Sequence, residues 1–312
     1  MELLKSIFMF LIFPGFLFTA AVGLLSTWVD RKVTARVQYR VGPPLFQPLY
    51  DFLKLLGKET LVPEYGNRVL FLVAPIIGLV GVSLVSSILW IANLADFSFV
   101  GDLIVVVYLL ILPSLAVILG GLSSGNPLAT TGASREMKLI LAYELPFLIS
   151  LATVILKSGF TISITEIMRY PAIGSVSGIL VFLIALLCVQ AKLGFVPFDV
   201  AEAETEIMGG PYIEYSGVPL AVFKLTQAML LFTLPVYLIT IFWGGMQFSG
   251  IGILWAVLKF VLILVLIVVI KNTNPRVRID QALKFFWMYA TPLGIVAFIL
   301  ALIGQLYGVP WL

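Results

Sequence analysis

Long apolar stretches separated by short polar connections dominate the chain. Each reaches or approaches the ~20 residues that a helix needs to cross the hydrocarbon core of a bilayer. The first is too long for the apolar core of a signal peptide, so we expect a retained span. The pattern predicts an all-α integral membrane protein, one domain over 1–312, with about eight transmembrane helices at 7–29, 69–92, 103–122, 139–157, 178–198, 219–243, 252–271 and 289–307.

One shorter segment, Leu45–Thr60, has apolar and charged residues interleaved, unlike the long apolar stretches. Its apolar residues recur at helical spacing, its charges share the opposite side, and Pro48 suits a first helical turn. This pattern predicts an amphipathic helix. Two placements remain open for it: the membrane interface, or a position docked against the bundle or a partner.

Composition supports the membrane assignment and limits the chemistry. Apolar residues make up 61% of the 312 residues and charged residues only 11%, whereas soluble domains are about half apolar and a quarter charged. The chain has one cysteine, Cys188, and no histidine. This excludes Cys-ligated iron–sulfur clusters, His-ligated haem and the common zinc sites. We therefore expect no metal and no cofactor in this chain, so that electrons of any redox reaction travel through a partner.

Lysine and arginine are distributed unevenly among the connections. The connections 30–68, 123–138, 192–218 and 271–288 hold 7, 2, 1 and 4 of them. The termini and the other connections hold only Lys5 and Arg169, with Lys157 at a border. Because positively charged connections stay inside, both termini are predicted on the outer side.

Three charged residues within the predicted spans are candidates for function. Glu144 is followed two residues later by Pro146, which favours a kink. A carboxylate in hydrocarbon costs at least ~2.5 kcal/mol, so it persists when it faces a cavity, pairs with a cation or carries ions. Lys224 and Lys259 lie inside the sixth and seventh spans. For Glu144 the alternatives are a proton or ion role and a structural ion pair with a Lys or Arg of another span. Lys224 could instead snorkel to the inner surface, and Lys259 could pair with an acid or with water.

The segment after the fifth span is rich in acids. Asp199, Glu202 and Glu206 follow i, i+3, i+7 spacing, so a helix would place them on one side. Packed and buried carboxylates hold protons near neutral pH, as a proton relay requires. A solvated acidic loop is the alternative, but interleaved apolar residues such as Phe198 and Ile207 disfavour it.

The first charged connection carries Arg31, Lys32, Arg36 and Arg40 at short intervals. Positive-inside anchoring explains some of these cations without any further role. Arginines on the same face as an acidic segment also favour an ion-pair network, or a docking surface for another subunit.

These motifs together resemble the NuoH-type subunit of respiratory complex I. The resemblance covers the chain from the first connection to the eighth span. It is carried, in order, by Asp30-Arg31-Lys32-Val33, Gln38-Tyr39-Arg40-Val41-Gly42-Pro43, Gln47-Pro48, Ser134-Arg135-Glu136, Tyr143-Glu144, Pro197-Phe198-Asp199, Ala201-Glu202, Glu206, Glu214-Tyr215-Ser216-Gly217 and Arg278-Ile279-Asp280-Gln281.

The resemblance implies a membrane-anchor and ion-coupling subunit that links electron transfer in a peripheral arm to H⁺ or Na⁺ translocation. It adds antiporter-like membrane subunits as partners, and places the metal site and Fe–S clusters in peripheral large and small subunits. The candidate ion-coupling residues are Glu144, Asp199, Glu202, Glu204, Glu206, Glu214, Lys224 and Lys259. The candidate peripheral-arm interface comprises Arg31, Lys32, Arg36, Arg40, Arg135, Arg278 and Asp280. The expected location is the plasma membrane.

Two departures indicate a branch of the family. The connection from Gly42 to Pro48 is short, and Lys224 and Gln227 stand where quinone-reducing members tend to have Phe and Glu. Both features look more like the membrane-bound [NiFe]-hydrogenase branch, which includes sulfur-reducing relatives. The alternatives are a quinone-binding complex I subunit and a free-standing transporter. Inverted repeats typical of many transporters are not found.

Overall fold

The computed structural model describes the backbone of residues 2–309 and 311–312, and side chains from residue 7 onward except residue 310. Lys5, which entered the orientation prediction, lies outside the described side chains. The described part is all-helical and contains no strand, which confirms the predicted class. Its helices are α1 Glu2–Leu11, α2 Phe16–Val37, α3 Gln47–Leu56, α4 Arg68–Ala95, α5 Asp102–Leu109, α6 Leu112–Ser123, α7 Pro127–Lys157, α8 Ile164–Met168, α9 Val176–Lys192, α10 Glu204–Ile207, α11 Gly217–Phe242, α12 Gly252–Thr273, α13 Ile279–Lys284 and α14 Thr291–Leu306.

Seven helical segments in the described part are long and apolar enough to cross a membrane. An eighth span results if α9 is counted together with the short helices before it, which meet it at 107°. A π-helical segment, Phe285–Ala290, joins α13 to α14 in the last span. These numbers agree with the prediction of about eight crossings.

Several helices extend beyond the apolar stretches that reveal them. Helix α7 begins at Pro127, capped by the side chain of Asn126, and not near residue 139. Helix α2 continues to Val37, so that Asp30 and Arg36 are helical. Backbone hydrogen bonds carry each helix past the apolar boundary, because polar residues that reach solvent or partners do not end a helix.

The helix α11 forms the centre of the bundle. In its most apolar window 94% of the residues are buried, against 28% for α12. It packs closely on α2 at Gly23, where an added Cβ would lie 2.6 Å from the carbonyl oxygen of Ala228. Small residues permit such close approach between helices in membranes. The side chains of α12 such as Leu254 and Trp255 remain exposed to lipid or to partners.

Helix α3 confirms the predicted amphipathic segment and shows features of both placements. It packs against α11 and α2, burying Pro48. Leu49, Leu53 and Leu56 on its other side remain exposed. The face of the bundle on which α3 and the segment 193–216 lie is called the charged face below, and the other end of the bundle is called the opposite face.

Candidate functional site

A small cavity, lined by both apolar and polar side chains, lies within the charged-face half of the bundle. Its volume is about 40 Å³, which holds a few waters, since one water needs roughly 10–15 Å³. We call it the acidic cavity. Its polar and charged lining residues are Ser114, Glu136, Lys192, Asp199, Glu202, Tyr212, Thr226 and Gln227.

A buried ion pair adjoins this cavity. The Lys192 Nζ atom donates to Glu144 Oε2 at 2.8 Å, and the two side chains are only 3% and 16% exposed. Nζ also lies 4.8 Å from the ring centroid of Tyr143 and 4.7 Å from that of Phe147. Burial of two charges is costly, and the pair together with both aromatic faces offsets that cost. Removing either partner leaves the other charge uncompensated.

Glu136 lies about two turns before Glu144 on α7 and is offset from it by about 80° around the helix axis. It is 7% exposed and lines the acidic cavity, as Lys192 does. The cavity therefore brings a lysine and several carboxylates together within apolar surroundings.

Glu202 closes the cavity on the charged-face side. Its Oε1 accepts a hydrogen bond from Gln227 Nε2 at 2.8 Å, and Gln227 Oε1 accepts one from Lys224 Nζ at 3.2 Å. Burial raises the pKa of the Glu202 carboxyl, against the opposing effects of Lys224 and the Gln227 hydrogen bond. A buried acid whose pKa is raised holds a proton closer to neutral pH than a solvated one does.

The predicted common side of Asp199, Glu202 and Glu206 is wrong, because no continuous helix covers 199–206. Only Glu204–Ile207 is helical. At Gly210 the backbone passes close to Ala201. The φ of Gly210 is +55°, and a Cβ added there would lie 2.0 Å from the Ala201 carbonyl oxygen, so no side chain fits at this position. The irregular backbone of residues 199–203, which comes before the short helix α10, directs each carboxylate differently.

Three acids of this segment, Asp199, Glu202 and Glu206, consequently each have their own partner. Asp199 Oδ2 accepts from Arg276 Nη2 at 2.5 Å, and Glu206 Oε2 accepts from Arg135 Nη1 at 2.5 Å. The Asp199 side chain is largely buried, at 11% exposed, whereas the Arg276 and Glu206 side chains are 35% and 46% exposed. Glu204 is exposed. Asp199 and Glu202 thus belong to the acidic cavity, and Glu204 and Glu206 to the surface.

Glu214 lies apart from the cavity lining. Its Oε1 accepts a hydrogen bond from Asn126 Nδ2 at 2.6 Å, which ties the acidic segment to the start of α7. Gly132 packs closely on Pro211, since a Cβ added at Gly132 would lie 2.6 Å from Pro211 Cδ, and this contact holds the same two segments together.

A second cavity of about 380 Å³ opens beside α3. Gln227 lines both cavities, and Lys224 joins it in the second. Asp51 accepts from Arg31 at 2.6 Å, and this hydrogen bond lowers the pKa of the Asp51 carboxyl. We call this space the α3 cavity; its charged lining residues are Asp30, Arg31, Asp51 and Lys224.

The remaining candidates of the peripheral-arm interface lie on or near the surface of the charged face. Arg36, Arg40, Arg278 and Asp280 are exposed, and Lys32 is half-buried. Arg31 and Arg135 are already paired with acids of this chain. The exposed side chains among them, Arg36, Arg40, Arg278 and Asp280, are accessible at the surface.

Lys259 lies far from these groups. Its Nζ donates to the backbone carbonyls of Trp243 at 3.0 Å and Gly245 at 3.3 Å, beyond the end of α11 on the opposite face. The ring centroid of Trp243 lies 5.7 Å from the same atom. Lys259 therefore caps a helix end, and does not meet the carboxylates of the acidic cavity.

Three residues of the site were missed from the sequence. Lys192 falls six residues inside the predicted span 178–198, yet it was counted with the connection 192–218. Glu136 lies before the predicted start of the fourth span, and Gln227 carries no charge. The position of Lys192, a cation within an apolar stretch, was the signal in the sequence that would have suggested it as a partner for Glu144.

The chain resembles known proteins over nearly its whole length. The family model described as NADH dehydrogenase matches residues 8–302. The H subunit of the NADH-quinone oxidoreductase of Thermomicrobium roseum is 32% identical, covering 94% of this chain and 95% of its own. The corresponding protein of Anoxybacillus flavithermus is 33% identical over 89% of this chain and 88% of its own.

A solved structure supports the same relationship. A chain of the membrane-bound sulfane sulfur reductase, an archaeal respiratory membrane complex, superposes with a TM-score of 0.83 at 29% identity. The match covers 92% of this chain and 96% of that chain. Sequence and structure comparisons thus extend over the acidic cavity as well as the bundle.

Proposed function

The chain belongs to the NADH dehydrogenase family as a NuoH-like member of a complex I-related membrane complex, and on this premise we propose that it couples redox chemistry to ion translocation. Electron transfer in a peripheral arm drives movement of H⁺ or Na⁺ through or beside this subunit. The Glu144–Lys192 pair at the edge of the acidic cavity is the observation that carries the proposal.

The chemistry of the pair supports a switch. Lys192 contacts Glu144 and lines the cavity that also holds Glu136 and Glu202. A change of charge on either cavity carboxylate changes the field at Lys192, and the low dielectric strengthens that effect. The proposed switch is therefore a change in the strength of this pair, set by the charge at the cavity.

The charged face is proposed as the docking surface of the peripheral arm, on the inner side of a plasma membrane. Exposed cations and the α3 cavity on this face suit contact with peripheral large and small subunits. The [NiFe] or other metal site and the Fe–S clusters would lie in those partners. Antiporter-like membrane subunits would receive the effect of the switch, along the apolar sides of the bundle.

The relevant branch is proposed to be the hydrogenase or sulfur-reductase type. The short connection from Gly42 to Pro48 and the similarity to the sulfane sulfur reductase chain support it. The second candidate is a quinone-binding subunit, because the α3 cavity falls within the ~300–1,000 Å³ typical of ligand pockets. Lys224 and Gln227 line this cavity, where quinone-reducing members tend to have Phe and Glu, and this counts against a quinone. Stoichiometric quinone in a solvent extract of the purified complex would reverse this choice.

The coupling role is tested with Glu144→Gln in the intact complex, reconstituted in sealed vesicles. The change keeps the volume and removes the charge. Ions moved per electron should fall by at least about tenfold, as expected for a lost proton-transfer group, while electron transfer to a soluble acceptor persists. Glu166→Gln, at an exposed carboxylate of α8 on the opposite face, is the matched control. Wild-type pumping in Glu144→Gln would refute the coupling role.

Orientation is tested by single-cysteine labelling of sealed cells. Cys188 is fully buried, so it provides a silent background. A cysteine at Gln305 should react with a membrane-impermeant thiol reagent from outside, and one at Arg36 only after permeabilisation, because the charged face is expected inside. Labelling with the reverse pattern would invert the proposed topology.

A further inference from the structure

The central helix α11 carries a row of hydroxyl side chains on one side. Thr226, Thr233, Tyr237 and Thr240 fall within an arc of about 60°, at roughly 100° per residue. They span a rise of about 21 Å, which is most of the ~30 Å hydrocarbon core. All four are at most 4% exposed. We call them the hydroxyl row.

The two ends of the row reach two different cavities. Thr226 lines the acidic cavity. Thr240 Oγ1 accepts a hydrogen bond from Asn93 Nδ2 at 2.9 Å. Asn93 lines a cavity of about 920 Å³ on the opposite face, which Lys259 also lines. The row therefore runs from the acidic cavity to the opposite face.

The middle of the row differs from its ends. Thr226 and Thr240 donate to the carbonyls of Val222 and Val236 within their own helix, at 2.9 and 2.8 Å. By contrast, Thr233 Oγ1 and Tyr237 Oη are buried and have no hydrogen-bond partner among the described residues. A buried polar group left unsatisfied is costly and calls for a specific reason. Thr233 and Tyr237 are 4 positions apart on one side of a helix, so a single explanation should account for both unpaired hydroxyls.

Tyr237 also neighbours the ion pair. Its ring centroid lies 5.8 Å from that of Phe147, and Phe147 lies one turn of α7 beyond Glu144. Lys192 Nζ contacts the same Phe147 ring at 4.7 Å. The second carboxylate oxygen of Glu144 is likewise buried and unpartnered within the described structure. The row thus passes beside the switch.

We infer that Thr233, Tyr237 and Thr240 of the hydroxyl row are the outward half of a proton route, which connects the Glu144–Lys192 region with the cavity at the opposite face. The inference rests on the coupling function proposed above. Each hydroxyl oxygen accepts a proton from the charged-face side while its own proton passes to the next oxygen or water. One O–H bond forms and one breaks at each step, so that a single proton is transferred. Leu230, which lines the acidic cavity just before Thr233, is the apolar barrier between the two halves.

The relay is tested with Tyr237→Phe and Thr233→Val in the reconstituted intact complex. Both changes remove a hydroxyl and keep the shape. Protons moved per electron should fall by about tenfold, with the rate of electron transfer to a soluble acceptor unchanged. Thr233→Ser, which restores the hydroxyl, should recover pumping. The matched control is Thr153→Val in α7, where a fully buried threonine donates only to the Ile149 carbonyl.

The outcomes separate this inference from the coupling role. Normal pumping in Tyr237→Phe and Thr233→Val, beside lost pumping in Glu144→Gln, would overturn the relay and leave the coupling role standing. A second measurement does not depend on pumping. Asn93→Cys, at the wall of the opposite-face cavity beside Thr240, should react with a small water-soluble thiol reagent added at that face, whereas the buried Cys188 of the wild type should not. Equal reactivity of the two cysteines would overturn the opening to that face.

Discussion

Two lysines sit within apolar helices, one toward each end of the bundle, and their partners differ in kind. Lys192 near the charged face pairs with the Glu144 carboxylate at 2.8 Å. Lys259 near the opposite face donates to the carbonyls of Trp243 and Gly245. Each also contacts an aromatic ring. The surroundings are therefore similar, and the difference lies in the acceptor.

Under the coupling proposal, this difference separates an adjustable pair from a fixed one. A carboxylate changes charge when it binds a proton, so the attraction between Glu144 and Lys192 is adjustable. Backbone carbonyls beyond a helix end are permanent dipoles that attract a cation at all pH values. Position within an apolar stretch alone thus does not identify a coupling residue. We expect coupling only at a lysine whose partner is able to bind and release a proton.

The largest expected effect comes from Lys192→Met. It leaves Glu144 buried without its cation, which costs about 3–5 kcal/mol in other proteins. We expect a lower thermal midpoint of the purified complex, and no ion pumping in vesicles.

A second variant sharpens that test. Lys192→Met combined with Glu144→Gln removes both charges, so thermal stability should return while pumping remains lost. If the single variant has wild-type stability, the pair is not a buried charge pair of the kind described above.

An intermediate effect is expected at Glu202, through pH. Because burial raises its pKa in the folded protein, the folded state binds more protons than the unfolded state above about pH 4.5. The stability of the wild type relative to Glu202→Gln should therefore fall as pH rises from that value through the raised pKa. Thermal midpoints of both proteins from pH 4.5 to 8 measure this difference, and a gap independent of pH would contradict it.

The smallest effect on pumping is expected for Lys259→Met. Two hydrogen bonds to carbonyls are lost, which lowers stability by about 1–2 kcal/mol. Ions moved per electron should equal the wild-type value, because no titrating partner is involved. A pumping loss as large as that of Lys192→Met would remove the distinction between the two lysines.

The apolar pattern was sufficient to predict the membrane class and the approximate positions of the spans. Hydrocarbon accepts only long apolar helices, so this constraint acts on the sequence directly. Helix ends were less predictable: α7 begins 12 residues before the predicted span, which begins at residue 139. Polar residues past the apolar boundary continue a helix as easily as they end one, and hydropathy does not distinguish the two.

The sequence by itself determined that carboxylates such as Glu144 and Glu202 stand where charge is costly. Only the tertiary structure decided their partners. It paired Glu144 with Lys192, 48 positions away in the chain, and directed Asp199, Glu202 and Glu206 to Arg276, Gln227 and Arg135. Insertion into a bilayer depends on the composition of each segment alone, and can therefore be predicted from one segment at a time. Pairing of charges depends on which helices pack side by side and on how each is rotated, and neither is encoded in a single segment.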